Sequence, residues 1–224
     1  MIQQRDIPLV LHAATAAQVL PVLAAARYGP RLPSARRWLV VWCLTLIASD
    51  IAQYRLGFAA AGANNLWLQY IAVPTQNAIM LWVLSLWQPD PVSRLAFRVA
   101  IPLDVIALLA LIPAAESAAT FNQFTWPFQS LVLLAGSLYT LVRRSIGEPD
   151  RVTSQDWFWI TLATSLFFAF RMAVPPFAAL VMATNVELAR FAYVFSAWID
   201  ILAYVLIARG MLCPLPQVHS GGSS

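Results

Sequence analysis

Four ionisable residues stand inside runs of apolar sequence: Asp50, Asp104, Asp200 and Arg171. Buried carboxylates of this kind bind cations or relay protons, and an arginine among them supplies a counter-charge. In hydrocarbon each such group costs about 2.5–3.5 kcal/mol on insertion scales, roughly 10–14 for four, against a whole-protein stability of about 5–15 kcal/mol. They must therefore pair, face water, or act on a ligand. Three acids cannot all be neutralised by one base, so at least one aspartate is expected to be protonated or hydrated. The simplest ion pair would join Arg171 to Asp50 or Asp200 and lock two helices together.

Amides and prolines accompany these charges. Pro74 precedes Gln76 and Asn77, and Pro127 precedes Gln129. Pro74 has no N–H to give to the carbonyl of Tyr70, and Pro175-Pro176 leave the carbonyls of Arg171 and Met172 without intrahelical donors. A helix interrupted beside a charge is a common geometry of transporter sites, although the same prolines also read as ordinary kinks, and Pro127 as the first residue of its helix. The candidate site for substrate binding or proton relay is thus Asp50, Asp104, Asp200, Arg171, Gln76, Asn77, Gln129 and Tyr70, with most of the acids and amides expected around one central cavity. No metal-ligand cluster and no catalytic set is read from the sequence.

The elements that position these residues are seven apolar stretches of roughly spanning length: Pro8–Ala26, Trp38–Phe58, Leu66–Trp87, Leu95–Ile112, Thr125–Val142, Trp157–Met182 and Leu188–Leu212. The chain of 224 residues is 60% hydrophobic and only 11% charged, with a mean hydropathy of +0.69, whereas soluble domains carry about 25% charged residues. The expected fold is all-α: a polytopic integral membrane protein of seven transmembrane helices. At about 1.5 Å per residue, Asp50 lies roughly 20 Å from Arg37, Asp104 about 15 Å from Arg94 and Asp200 about 14 Å from Arg209, which puts all three near the middle of a core about 30 Å thick.

Charge sets the expected orientation. The first, third and fifth connections carry Arg27, Arg31, Arg36, Arg37, Arg94, Arg143, Arg144 and Arg151, whereas Ala61–Asn65, Ala114–Phe124 and Ala183–Glu187 carry no arginine. The positive-inside rule then places the N-terminus outside and the C-terminus in the cytoplasm of a bacterial plasma membrane. Trp38, Trp87, Trp157 and Trp159 fall at the inner interface in this register, and Trp67 and Trp126 at the outer one. The first stretch is read as a span rather than a cleaved leader, because its positive charges follow the apolar run. Residues 1–214 form one domain, and the Gly-Ser tail within 215–224 carries no fold information.

An internal repeat is suggested by Asp50 followed by Pro74-Thr75-Gln76, and Asp104 followed by Pro127-Phe128-Gln129. Two-helix units over 38–88, 95–144 and 157–212 would account for it.

Several functions are disfavoured. All fourteen basic residues are arginine, which removes lysine chemistry. The basic balance of +4 sits in short loops, as membrane topology requires, so no nucleic-acid partner is expected. His12 is the sole histidine within a span, and CxxC, HExxH, GxSxG and phosphate-loop motifs do not occur. The chain is not read as an enzyme; an aspartate-based intramembrane hydrolase is the one class its residues would still permit. Cys43 and Cys213 lie toward the cytoplasmic side and no disulfide is expected.

Seven helices with an external N-terminus resemble, in topology, the microbial rhodopsins and the sugar facilitators with two three-helix repeats. Asp200 is followed by Tyr204 at the spacing where a rhodopsin carries its retinal lysine, so covalent retinal is excluded and no cofactor is expected. The Pro-x-Gln pairs here span two helices rather than three, and membership in either family is not claimed. The leading expectation is a stand-alone transporter or facilitator of a small polar or cationic solute. The alternative is a seven-helix sensor or an accessory subunit of a membrane complex, acting with a protein partner or a second copy. The bilayer and a small-molecule solute or ligand are the other expected partners.

Overall fold

The computed structural model describes residues 9–59, 68–115, 124–147, 149–182 and 184–214, and every element within them is helical. The first apolar stretch forms two helices, α1 (Leu9–Ala17) and α2 (Val19–Ala26). They part at Gln18 because Pro21 cannot donate to the carbonyl of Ala17, and the Gln18 N–H turns back to Thr15 O at 3.3 Å. Six longer helices follow: α3 (Ser34–Ala59), α4 (Gln69–Leu86), α5 (Pro91–Ala115), α6 (Thr125–Gly147), α7 (Asp156–Met182) and α8 (Val186–Met211). With α1 and α2 taken as one segment, the count is the expected seven. Connections placed by sequence at Ala61–Asn65 and over most of Ala114–Phe124 lie outside the described residues, as do Trp67 and the tail beyond Pro214.

Local chemistry explains where the helices begin. Asp90 Oδ1 accepts from Ser93 N at 2.7 Å, with Pro91 in the first position of α5, and Asn185 Oδ1 caps α8 by accepting from Leu188 N at 3.0 Å. One expectation is corrected by the helical path: α4 runs on through Pro74 and α7 through Pro175-Pro176. One or two missing N–H groups need not end a helix where neighbouring helices hold both flanks. The break falls instead at Gln18.

Neighbours run from α2 to α3, α4, α6, α7 and α8, and α8 returns to α1 and α2, closing a ring; α5 stands outside it against α4 and α6. Leu39, Trp42, Met80, Leu84, Leu133, Ile160, Phe167, Tyr204 and Ile207 fill its interior. Polar side chains are buried as well, among them Asn77, Ser85, Ser137, Thr140, Thr161 and Thr164, each at 0% exposure. Leu103, Ile106, Leu180 and Phe191, by contrast, face outward at 61–78% exposure. That inversion of the soluble pattern gives the helices apolar outer faces. Among the described residues, three segments, Leu9–Ala26, Asp156–Met182 and Val186–Met211, are long and apolar enough to cross a membrane. The chain is accordingly a helical, membrane-associated protein.

Candidate functional site

The hinge between α1 and α2 turns a polar side chain toward α3. Gln18 is buried, and its Nε2 donates to Asp50 Oδ2 at 2.7 Å. Across from it, Arg171 Nη2 on α7 donates to Asp200 Oδ2 on α8 at 3.2 Å. The guanidinium also lies over the rings of Phe167, at 4.6 Å, and Trp126, at 5.3 Å. Ring faces attract a cation and the carboxylate fixes its direction, so Arg171 is held from two sides. Of the two ion pairs the sequence allowed, the structure forms the one with Asp200.

These groups wall a cavity of about 230 Å³, lined by α1, α3, α6, α7 and α8. Thr15, Tyr193, Ser196 and Tyr204 bring hydroxyl groups to it, and Leu11, Val174 and Pro175 bring apolar surface. At about 30 Å³ per water, the space matches roughly eight waters or one small solute. Asp200 Oδ1, Tyr204 Oη and Gln18 Oε1 are buried without a hydrogen-bond partner. Buried polar atoms are ordinarily satisfied, so these mark places where water or a ligand would bind. Two carboxylates face one guanidinium here, which favours a donor-rich or cationic guest over an anion.

The expected site residues divide into two groups, which corrects the reading of a single central cavity. Asp50, Arg171 and Asp200 line the cavity; Asp104, Gln76, Asn77, Gln129 and Tyr70 do not. Asp104 lies on α5, outside the ring, and accepts from Asn77 Nδ2 on α4 at 2.6 Å. Gln76 Nε2 donates to Ser49 Oγ at 3.2 Å, and Gln129 Nε2 to the carbonyl of Val73 at 3.1 Å. The Pro-x-Gln glutamines therefore make dissimilar contacts. Both Asp50 and Asp104 instead accept from an amide on the preceding span.

Some side chains of this cavity escaped the sequence reading as site residues. Gln18 is the sole amide of the first apolar run and stands three residues before Pro21, a signal that could have singled it out. Trp126, read as an interface anchor, covers Arg171. His12, the lone histidine of a span, lies on an exposed face of α1.

A separate polar cluster forms at the far end of the bundle, the expected cytoplasmic side. Arg36 is 1% exposed, and its Nε donates to Asp156 Oδ2 at 2.8 Å. Arg36 Nη1 donates to the carbonyls of Cys213, at 2.8 Å, and Met211, at 3.2 Å, and Nη2 to that of Pro214 at 3.3 Å. The Tyr28 hydroxyl donates to the carbonyl of Leu212 at 3.0 Å. Carbonyls at a helix C-terminus lack intrahelical donors and carry partial negative charge, so a buried guanidinium satisfies both needs. At the same end, the Ser93 backbone N–H, helped by the Ser93 hydroxyl, holds the Asp90 carboxyl below the usual carboxylate range.

Compared with known proteins, the chain matches no protein-family model, no curated protein and no solved structure.

Proposed function

We propose that this chain is a seven-span protein of a bacterial plasma membrane, with an external N-terminus and a cytoplasmic C-terminus, that moves a small polar or cationic solute through the cavity between Asp50, Arg171 and Asp200. The observation that carries this reading is the cavity itself. It sets two carboxylates and an arginine around open space, at a depth where hydrocarbon would otherwise surround them. A purely structural ion pair has no need of such space, and packing would close it. The arginine pattern of the loops supports the orientation.

Reconstituted into proteoliposomes, the protein should conduct small organic cations or protons, and Asp50→Asn or Asp200→Asn should lower that flux tenfold or more. Flux unchanged in both variants, with folding intact, would sink the transport reading. Ligand-dependent stabilisation without flux would assign the cavity to sensing instead.

A further inference from the structure

Asp104 and Asn77 form a second polar centre that the cavity does not include. Asn77 is 0% and Asp104 5% exposed. One short hydrogen bond joins them, from Asn77 Nδ2 to Asp104 Oδ2 at 2.6 Å. Their other side-chain oxygens, Asn77 Oδ1 and Asp104 Oδ1, are both buried without a partner. Two orphaned acceptors in adjoining side chains lack a single thing, a hydrogen.

Among the described residues, no cation is placed to supply the balance. Between Gln69 and Leu86, α4 carries no acidic or basic residue, and its one titratable side chain is Tyr70. On α6 the titratable groups are Tyr139, Arg143 and Arg144, toward its C-terminal end, and Tyr139 shares a hydrogen bond with Ser93 Oγ at 2.8 Å. Along α5 itself the nearest charge is Arg98, six residues away, or about 9 Å of helix, and its guanidinium sits 4.8 Å over the Trp82 ring. The amide of Gln129 on α6 is committed to Val73. An ionised Asp104 would have one donor and no counter-charge, which buried carboxylates do not tolerate cheaply.

A carboxyl group and a carboxamide are both planar, and each presents two polar atoms side by side. With Asn77 Nδ2–H already on Asp104 Oδ2, a proton on Asp104 Oδ1 would donate to Asn77 Oδ1, and one hydrogen would satisfy both orphans. We propose that Asp104 holds a proton at neutral pH, paired with Asn77 through two parallel hydrogen bonds, and that this acid–amide pair is a proton-binding site within the helix bundle. Loss of that proton leaves a carboxylate with a single bond, so release requires water or a cation to reach the contact between α4 and α5. The site does not depend on the solute reading of the cavity, since a resident proton is detectable whether or not flux occurs.

Infrared spectroscopy of the detergent-solubilised protein, labelled with carboxyl-¹³C aspartate, tests this. At neutral pH the parent should show the isotope-shifted carbonyl band of a protonated carboxylic acid, and Asp104→Asn should abolish it. Asn77→Leu should move the band to higher frequency, as a lost hydrogen bond does. No such band in the parent, or a band that survives Asp104→Asn, overturns the assignment. If Asp104→Asn does not fold, the band must persist in both Asp50→Asn and Asp200→Asn, and its loss from either is equally fatal to the assignment.

Discussion

Arg171 shows how one side chain serves stability and binding together. Its side chain keeps 26% exposure while it bonds Asp200 and lies on two aromatic rings. Arg171→Leu should therefore destabilise the protein by less than the roughly 3–5 kcal/mol of a fully buried pair. Combining it with Asp200→Asn should restore part of the loss, because the stranded carboxylate is then neutral; thermal unfolding in detergent of the two single variants and the double variant measures the coupling. Additive losses would mean that the pair contributes little. The sequence located Asp50, Asp104 and Asp200 near the middle of the core, since depth follows from counting residues along a helix. It did not reveal that Asp104 faces elsewhere, because the direction in which α5 presents a residue depends on which helices it packs against.

At the scale of the elements, ends and close approaches decide more than composition. The Asp90 cap on α5 has a pH signature: its lowered carboxyl contributes stability that is fully present above the usual carboxylate range and is lost as acid titrates it through the lowered folded value. Unfolding midpoints at neutral and acid pH should consequently fall less in Asp90→Asn, which keeps the capping oxygen without the charge. An equal fall in parent and variant would remove Asp90 from the account. Where α8 meets α7, a Cβ on Gly210 would stand 2.6 Å from Ile160 Cγ1 and 3.1 Å from the carbonyl of Asp156. Gly210→Ala should therefore cost about 1–3 kcal/mol by overpacking, despite the better helix propensity of alanine; a raised melting temperature would contradict the close approach. Helix extents were readable beforehand, as Trp157–Met182 against Asp156–Met182 illustrates. The hinge at Gln18 was not, since Pro21 alone does not say whether a helix will run on, as it does through Pro74, or part.

For the whole molecule, the apolar outer faces of the helices join the seven-segment count to the loop charges. Thr184→Cys, just before α8, should react from outside with a membrane-impermeant maleimide, and Arg143→Cys only after permeabilisation, with Cys43 and Cys213 silent because both are buried. The opposite labelling pattern would reverse the orientation. Arg36 illustrates why part of this level was hidden from the sequence. Among eight loop arginines it looked like one more topological charge, yet it is gathered in by Asp156 and the end of α8, a meeting of residues 120 or more positions apart.

That meeting orders the protein in time. Helices α1 and α2 leave the ribosome first of those described, but the ring closes on them only through α8, the last of those described. Until α8 arrives, Arg36 lacks the carbonyls of Met211 and Cys213, Arg171 has no Asp200, and the side of α1 and α2 that packs against α8 stands uncovered. Earlier helices can form one by one, whereas closure of the ring must wait for α8, so the polar site is assembled only after every other described helix has been made and its charges stay unpaired if synthesis stops short of Val186.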